Sequence, residues 1–403
     1  MVKLRLFVFI VFFVGSAVMV FSSSWALVLT GGGARGAYEA GALKAIAQLN
    51  LDVKGVYGTS VGALNGVFFC QGETEKLYKM WQTISYSDVM SVKSTSTSPI
   101  YLKVARELLT FHLIDIKPLR EMVEENIDEE KVRKSGIDFG LVTYDLSKFS
   151  PVELYISQIP EGQLADYVLA SANYPVFQRQ KINGQIYIDG GVYNNAPVDM
   201  ALKKGFKKIL LINVSDIPIT IPPIPPDVEL KIINPSGTLG TALDFNPVDE
   251  HRWEIMGYLD TLKAFGKFVG DRYYIYPPKS PIILDALLSM NMKELSKVAD
   301  ILGVDINGYS RDFAVYTVIL SKIYQTVKAT SFDTLNIKLL EMAANTLEIE
   351  RLVPYTQHEL VKAIADNDQK IKTGFLFFQN NENTIVEFVR EVCKYIVSTN
   401  MKC

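Results

Sequence analysis

Residues 25–50 read WALVLTGGGARGAYEAGALKAIAQLN. The first six are apolar without alternation, the pattern of a strand buried on both faces. Glycines at 31, 32, 33 and 36 then break the chain. From Ala37 to Asn50 the spacing predicts a helix burying Ala40, Leu43, Ile46 and Ala47. The order repeats at once: GVYG (55–58) is a second short strand and a helix follows from Val61. Strand, tight turn, helix, strand is the signature of an α/β fold with a mostly parallel central sheet covered by helices on both faces. Outward from this nucleus, strands are predicted at Phe139–Tyr144, Val152–Ile156, Gln185–Asp189 and Lys208–Val214, and helices at Pro118–Ile127 and Leu164–Ser171. No internal repeat is apparent.

Of the 403 residues 48% are hydrophobic and 21% charged, which excludes a disordered chain. The balance of 41 Lys and Arg against 44 Asp and Glu supplies no basic field, so nucleic acid is not an expected partner. Cys70, Cys393 and Cys403 are too few and too scattered for a disulfide framework or a structural zinc site. Residues 1–24 place Lys3 and Arg5 before the apolar run Leu6–Phe21 and then three serines. That is the order of a secretory signal peptide, with a retained membrane anchor as the alternative, and the expected location is exported. Tyr86–Pro99, rich in Ser and Thr, reads as a surface loop or a lid. The run IPITIPPIPP (217–226) cannot be helical because proline removes donors; a stiff packed connector is expected, with lipid contact as the alternative. Beyond Asp271 the pattern is helical without a convincing strand. Its last helix carries Ile385, Phe388, Val389, Val392 and Ile396 on one face, the spacing of a core stripe.

Ser60 sits at the centre of a G-x-S-x-G frame, Gly58 to Gly62, between strand and helix. This is a nucleophile elbow, in which the glycines let strand and helix pass closely and the helix start offers amides to developing negative charge. The earlier run Gly31–Gly33 has two readings. It satisfies the G-x-G-x-x-G of a dinucleotide site, with Asp52 as the ribose-binding acid, although Asp52 precedes the second strand. Alternatively it is an oxyanion hole, bare backbone amides facing a tetrahedral intermediate. The base is also open: His251 and His358 lie in helical contexts, whereas Asp189 ends an apolar strand and is followed by Gly190 and Gly191. Such a carboxylate can reach a serine hydroxyl, and an ordinary Asp-Gly turn is the other reading.

Four blocks in order, GGGARG (31–36), GTSVG (58–62), ASANYP (170–175) and DGG (189–191), together with DFGLVTYDL (138–146) and NNAPV (194–198), resemble the patatin-like phospholipases and lipid acyl hydrolases. The likeness extends from Trp25 to Gly270. It implies a three-layer α/β domain over 25–270, leaving 271–403 as an all-helical region of open role. It also implies a Ser60–Asp189 dyad without histidine, Gly31, Gly32 and Gly33 as oxyanion-hole donors, and Arg35 holding their loop. Such a dyad requires neither a metal nor an organic cofactor, and calcium-assisted hydrolysis is disfavoured because no acidic loop of ligand spacing adjoins Ser60. The expected partner is a lipid or phospholipid substrate, met by peripheral contact with a membrane. Two other functions fit parts of the sequence: a nucleotide-binding oxidoreductase built on the glycine loop, and an inactive lipid-binding protein of the same fold.

Overall fold

Side chains alternate along a strand, and the alternation divides β1 (Trp25–Leu29) between two layers. In the computed structural model, which describes residues 24–91, 113–369 and 377–401, Leu27 and Leu29 enter one apolar core while Ala26 and Val28 enter another. β2 (Val53–Thr59), β3 (Asp138–Asp145) and β7 (Lys208–Ile212) do the same, giving Val56, Phe139 and Leu210 to the first core and Tyr57, Val142 and Leu211 to the second. With β4 (Ser150–Tyr155), β5 (Gln180–Ile182), β6 (Gln185–Asp189) and β8 (Glu229–Ile233) they form one sheet ordered β5-β6-β3-β2-β1-β7-β8, β4 lying beside β3. The run from β3 to β8 is parallel, whereas β4 and β6 are antiparallel to β3. The architecture is therefore α/β with a mostly parallel sheet.

The two covering layers are unequal. On one face lie α1 (Gly36–Gln48), α2 (Val61–Cys70) and the helices Lys117–Asn126, Leu164–Ser171 and Pro247–Ala264. The other face carries the short helix Val198–Lys203 and the proline-rich run, whose Ile219, Ile221 and Ile224 pack against it while Ile217 stays exposed. α1 crosses Pro247–Ala264 at near backbone contact, since a Cβ on Gly41 would lie 1.9 Å from the Glu254 carbonyl oxygen and one on Gly257 1.9 Å from that of Tyr38. Ala40, Leu43 and Ile46 are buried as the spacing predicts; Ala47, expected with them, is exposed in the last turn.

Two strands escape the sequence reading for one reason. β5 (QKI) is three residues long, and β8 (ELKII) alternates charge with apolar residues, as edge strands do to discourage further pairing. A third exception falls in the region read as strand-free, where Tyr274–Ile275 pairs with Pro354–Tyr355 in a two-residue parallel ladder. A separate core forms there among the helices Ile282–Ser289, Met292–Ile301, Phe332–Thr346, Gln357–Ala365 and Phe377–Ser398. It contains the stripe Ile385, Phe388, Val389, Val392 and Ile396, all buried. At the junction Tyr274 belongs to the sheet-side core while Tyr273 and Ile275 belong to the helical one. The buried Glu341 carboxylate accepts the N–H groups of Asp271, Arg272 and Tyr273 at 3.0, 2.8 and 2.7 Å. The leader, His112, Cys403 and most of the Ser/Thr-rich loop lie outside the described residues.

Helix Pro247–Ala264 also carries two fully buried acids one turn apart, Glu250 and Glu254. Neither Glu250 oxygen has a hydrogen-bond partner among the described residues. Burial pushes both carboxyls up to about 8, reinforced at Glu250 by the charges of Glu254, Asp244 and Asp249. A carboxyl raised on folding binds its proton more tightly in the native state, so the contribution of these two groups to stability is fully present below about pH 4.5 and is lost as pH climbs through about 8. Glu250→Gln and Glu254→Gln are each expected to stabilise the protein at pH 8–9 by on the order of 1–2 kcal/mol and to flatten its pH dependence, read from thermal melts between pH 5 and pH 9.

Candidate active site

β3 brings the site together. One of its edges is covered from Gly140 to Asp145 by β4, pairing with Ser150–Tyr155. Its other edge is divided: Gly55–Thr59 of β2 pair with Asp138–Val142, and from the next residue β6 takes over, with Asp189 opposite Thr143. The two strands arrive from opposite directions, so both carboxyl ends stop at adjacent positions, Val142 and Thr143, and Ser60 emerges beside Asp189.

Polar side chains fasten both ends. The Ser171 hydroxyl donates to the Val142 carbonyl at 2.6 Å and accepts the Ser60 N–H at 2.9 Å. The Thr143 hydroxyl donates to the Ile188 carbonyl and the Thr59 hydroxyl to that of Asn194, each at 2.9 Å. Asp189 N–H donates to the Asn173 carbonyl at 2.8 Å, and Asn173 Nδ2 to that of Tyr187 at 3.0 Å. Thus Ser171 and Asn173 of the ASANYP block, and Asn194 and Asn195 of NNAPV, have physical work at the site that the sequence reading did not assign.

Ser60 itself has φ 57° and ψ −127°, a conformation that costs a residue with a side chain about 1–3 kcal/mol. Tight packing around it holds that geometry: a Cβ on Gly58 would lie 2.4 Å from the carbonyl of Gly62, and one on Gly62 2.4 Å from the Leu29 oxygen. α2 starts at the next residue and directs its amino end to the serine. Asp189 is 4% exposed. Burial raises its carboxyl to about 6, against the opposing effects of hydrogen bonding by the Ser60 side chain and by the Gly191 N–H, the latter 2.7 Å from Oδ1. The sequence reading asked for a desolvated aspartate of this kind, since an ordinary one is too weak a base.

The glycine loop differs from expectation in one respect. Gly31 N–H is not free: it donates to Asn195 Oδ1 at 3.0 Å, while Asn195 Nδ2 donates back to the Gly31 carbonyl at 3.1 Å and to Ser215 Oγ at 3.0 Å. The Asn195 carboxamide thereby pairs with both backbone polar groups of one residue, as a neighbouring strand would. Gly32 and Gly33 donate to no acceptor among the described residues. Gly33 needs to be glycine, with φ +59° and a would-be Cβ 2.0 Å from the Ala242 oxygen. Arg35 is buried and does not line the cavity; Nε donates to the Gly240 carbonyl at 2.7 Å and Nη2 to Asp216 at 2.8 Å, tying the loop to two others.

Ser60, Asp189, Asn195 and Gly31–Gly33 line a cavity of about 450 Å³ whose other walls are mostly apolar, among them Leu64, Phe68, Met80 and Trp81, with Asn65, Ser215 and Asp216 as the further polar residues. Among the described residues no histidine lines it: His251 and His358 are exposed on the helices Pro247–Ala264 and Gln357–Ala365. Asp52 lies at the amino end of β2, hydrogen-bonded by Ser24 Oγ at 2.6 Å. The length of the sheet, roughly 16 Å at about 3.3 Å per residue, separates it from the glycine loop, which removes the acid that a dinucleotide site would require.

Fold and site define an α/β protein with a strained serine at a strand-to-helix turn facing a buried carboxylate. The Patatin-like phospholipase family model matches residues 27–202, which contain Gly31–Gly33, Arg35, Ser60, Asp189 and Asn195, and over those residues the chain is similar to that family. Patatin-like phospholipase domain-containing protein 7 of Mus musculus is 26% identical over 199 residues, 49% of this chain and 14% of that protein. Probable lipid hydrolase 463L of Invertebrate iridescent virus 6 is 26% identical over 189 residues, 45% of this chain and 64% of that one. The match therefore spans less than two thirds of either relative. Among solved structures, VipD from Legionella pneumophila is similar over 91% of each chain at 12% identity and a TM-score of 0.42.

Because Gly58 and Gly62 touch through backbone atoms, Gly58→Ala is expected to lower the unfolding free energy by about 1–3 kcal/mol, measured by urea titration.

Proposed function

We propose that the protein is a serine acyl hydrolase acting on carboxylic esters of lipids, a phospholipase A or lysophospholipase in type. The observation that carries this reading is the meeting of Ser60 and Asp189 on one edge of β3, inside a cavity walled mostly by apolar side chains. Asp189 accepts the Ser60 hydroxyl proton as the oxygen attacks the ester carbonyl. Negative charge on the carbonyl oxygen is met by the amides of Gly32 and Gly33 and by the amino end of α2, and collapse of the intermediate breaks the bond to the alcohol oxygen, which takes the proton held by Asp189 and leaves an acyl-serine and an ionised carboxylate. Water, deprotonated by the same carboxylate, then releases the fatty acid. Asn195 and Arg35 serve by holding the loop that presents those amides. Export of the mature chain is part of the proposal, motivated by the order of charge, apolar run and serines in residues 1–24.

Ser60→Ala and Asp189→Asn are each expected to lower turnover of a fluorogenic phospholipid by at least about 10³-fold, and Ser60→Ala to abolish labelling by a fluorophosphonate. His251→Ala and His358→Ala should keep wild-type rates; loss of turnover by either, in a folded protein, replaces the dyad with a triad. Asp189 must be ionised to accept a proton, so kcat/KM is expected to rise with pH through about 6 and level off above it, measured on a soluble ester. Asn195→Ala is expected to reduce kcat about 10²-fold with KM for the same ester little changed, the pattern of a damaged oxyanion site.

A further inference from the structure

Tyr174, Val192, Tyr193 and Ile217 are between 44% and 57% exposed although all are apolar or aromatic. They come from three separate parts of the chain. Tyr174 follows the helix Leu164–Ser171, Val192 and Tyr193 lie just past Asp189, and Ile217 opens the proline-rich run after β7. Single exposed apolar residues are ordinary on a protein surface. These are not isolated, because Tyr174, Val192 and Ile217 line the same mostly apolar cavity as Ser60 and Asp189.

The charge around that opening is equally informative. No lysine or arginine is among the described residues lining the cavity, and its one acid besides Asp189 is Asp216, which Arg35 engages at 2.8 Å. Among the described residues lining the cavity, none offers a cation to an anionic surface. An acyl chain leaving a lipid phase for Ser60 would expose its methylenes to water at about 0.8 kcal/mol each unless the opening is pressed against the phase it leaves. No helix among the described residues is long and apolar enough to cross a membrane.

We propose that the rim formed by Tyr174, Val192, Tyr193 and Ile217 docks on the surface of a zwitterionic phospholipid bilayer, joining the apolar cavity to the acyl layer. The proposal rests on the acyl-hydrolase reading of that cavity, yet its test does not require turnover. In the Ser60→Ala protein, which leaves the lipid intact, co-sedimentation with phosphatidylcholine vesicles is expected, equal at about 0.1 M and about 1 M salt because no ion pair contributes. Adding Val192→Asp and Ile217→Asp together is expected to weaken that partitioning at least about tenfold. Tyr193→Asp in the otherwise unaltered protein is expected to slow hydrolysis of vesicle phospholipid at least about fivefold while leaving kcat/KM for a soluble short-chain ester within about twofold, since Tyr193 lies outside the cavity.

Absence of vesicle binding by the Ser60→Ala protein overturns the proposal, as does binding that requires anionic lipid or disappears at high salt. So does partitioning unaffected by the paired aspartates. Self-association abolished by Tyr193→Asp in sedimentation velocity assigns the rim to a second copy of the chain and equally overturns it. A parent protein inert towards the soluble ester while Ser60→Ala still binds vesicles sinks the hydrolase reading and leaves the docking face standing.

Discussion

Everything at the site follows from one strand having two different partners on a single edge. β3 pairs with β2 up to Val142 and with β6 from Thr143 onwards, so the register of one strand fixes the position of two loops distant in sequence. A register slip of one residue would turn the side chains of that strand to the opposite face and separate the two loop ends. The edge is secured at the changeover itself: Ser171 bonds to Val142, and the Thr143 hydroxyl to Ile188. The strained serine backbone and the buried carboxylate thus rest on sheet hydrogen bonds rather than on loop packing alone.

Burial does two things here with one desolvation effect. Around Asp189 it raises the carboxyl to about 6, while the Ser60 side chain and Gly191 N–H keep the rise moderate, so that the group is ionised near neutrality but retains some basicity. At Glu250, where no hydrogen-bond partner offsets it, the same effect goes further and leaves a protonated acid inside the helix layer. Two buried carboxyls therefore have different charge states at pH 7, and the difference is made by the hydrogen bonds at Asp189 and the neighbouring acids at Glu250 rather than by depth.

Much of this was legible in the sequence, and the boundary of what was legible has a physical form. Apolar runs reveal buried parallel strands because both faces must be covered, which is why β1, β2, β3 and β7 were read and the polar edge strands β5 and β8 were not. The frame around Ser60 is visible because steric need leaves glycines at set intervals. By contrast Asn195 binds Gly31 across 164 positions, and nothing in either neighbourhood announces the pairing. The same long-range bond explains why three consecutive glycines looked equivalent: only the fold shows that one amide is already committed. Exposure at Ile217 was likewise hidden, since it shares its proline-rich context with three isoleucines that pack.

The junction at Tyr273–Ile275 has a mechanical meaning. Consecutive side chains there belong alternately to two cores, and Glu341 grips the three preceding amides from the helical side. Any swing of the C-terminal helices against the sheet would draw an aromatic ring out of one interior or the other. The segment works as a rivet rather than a tether, and heat or denaturant should melt both halves of the molecule in a single event.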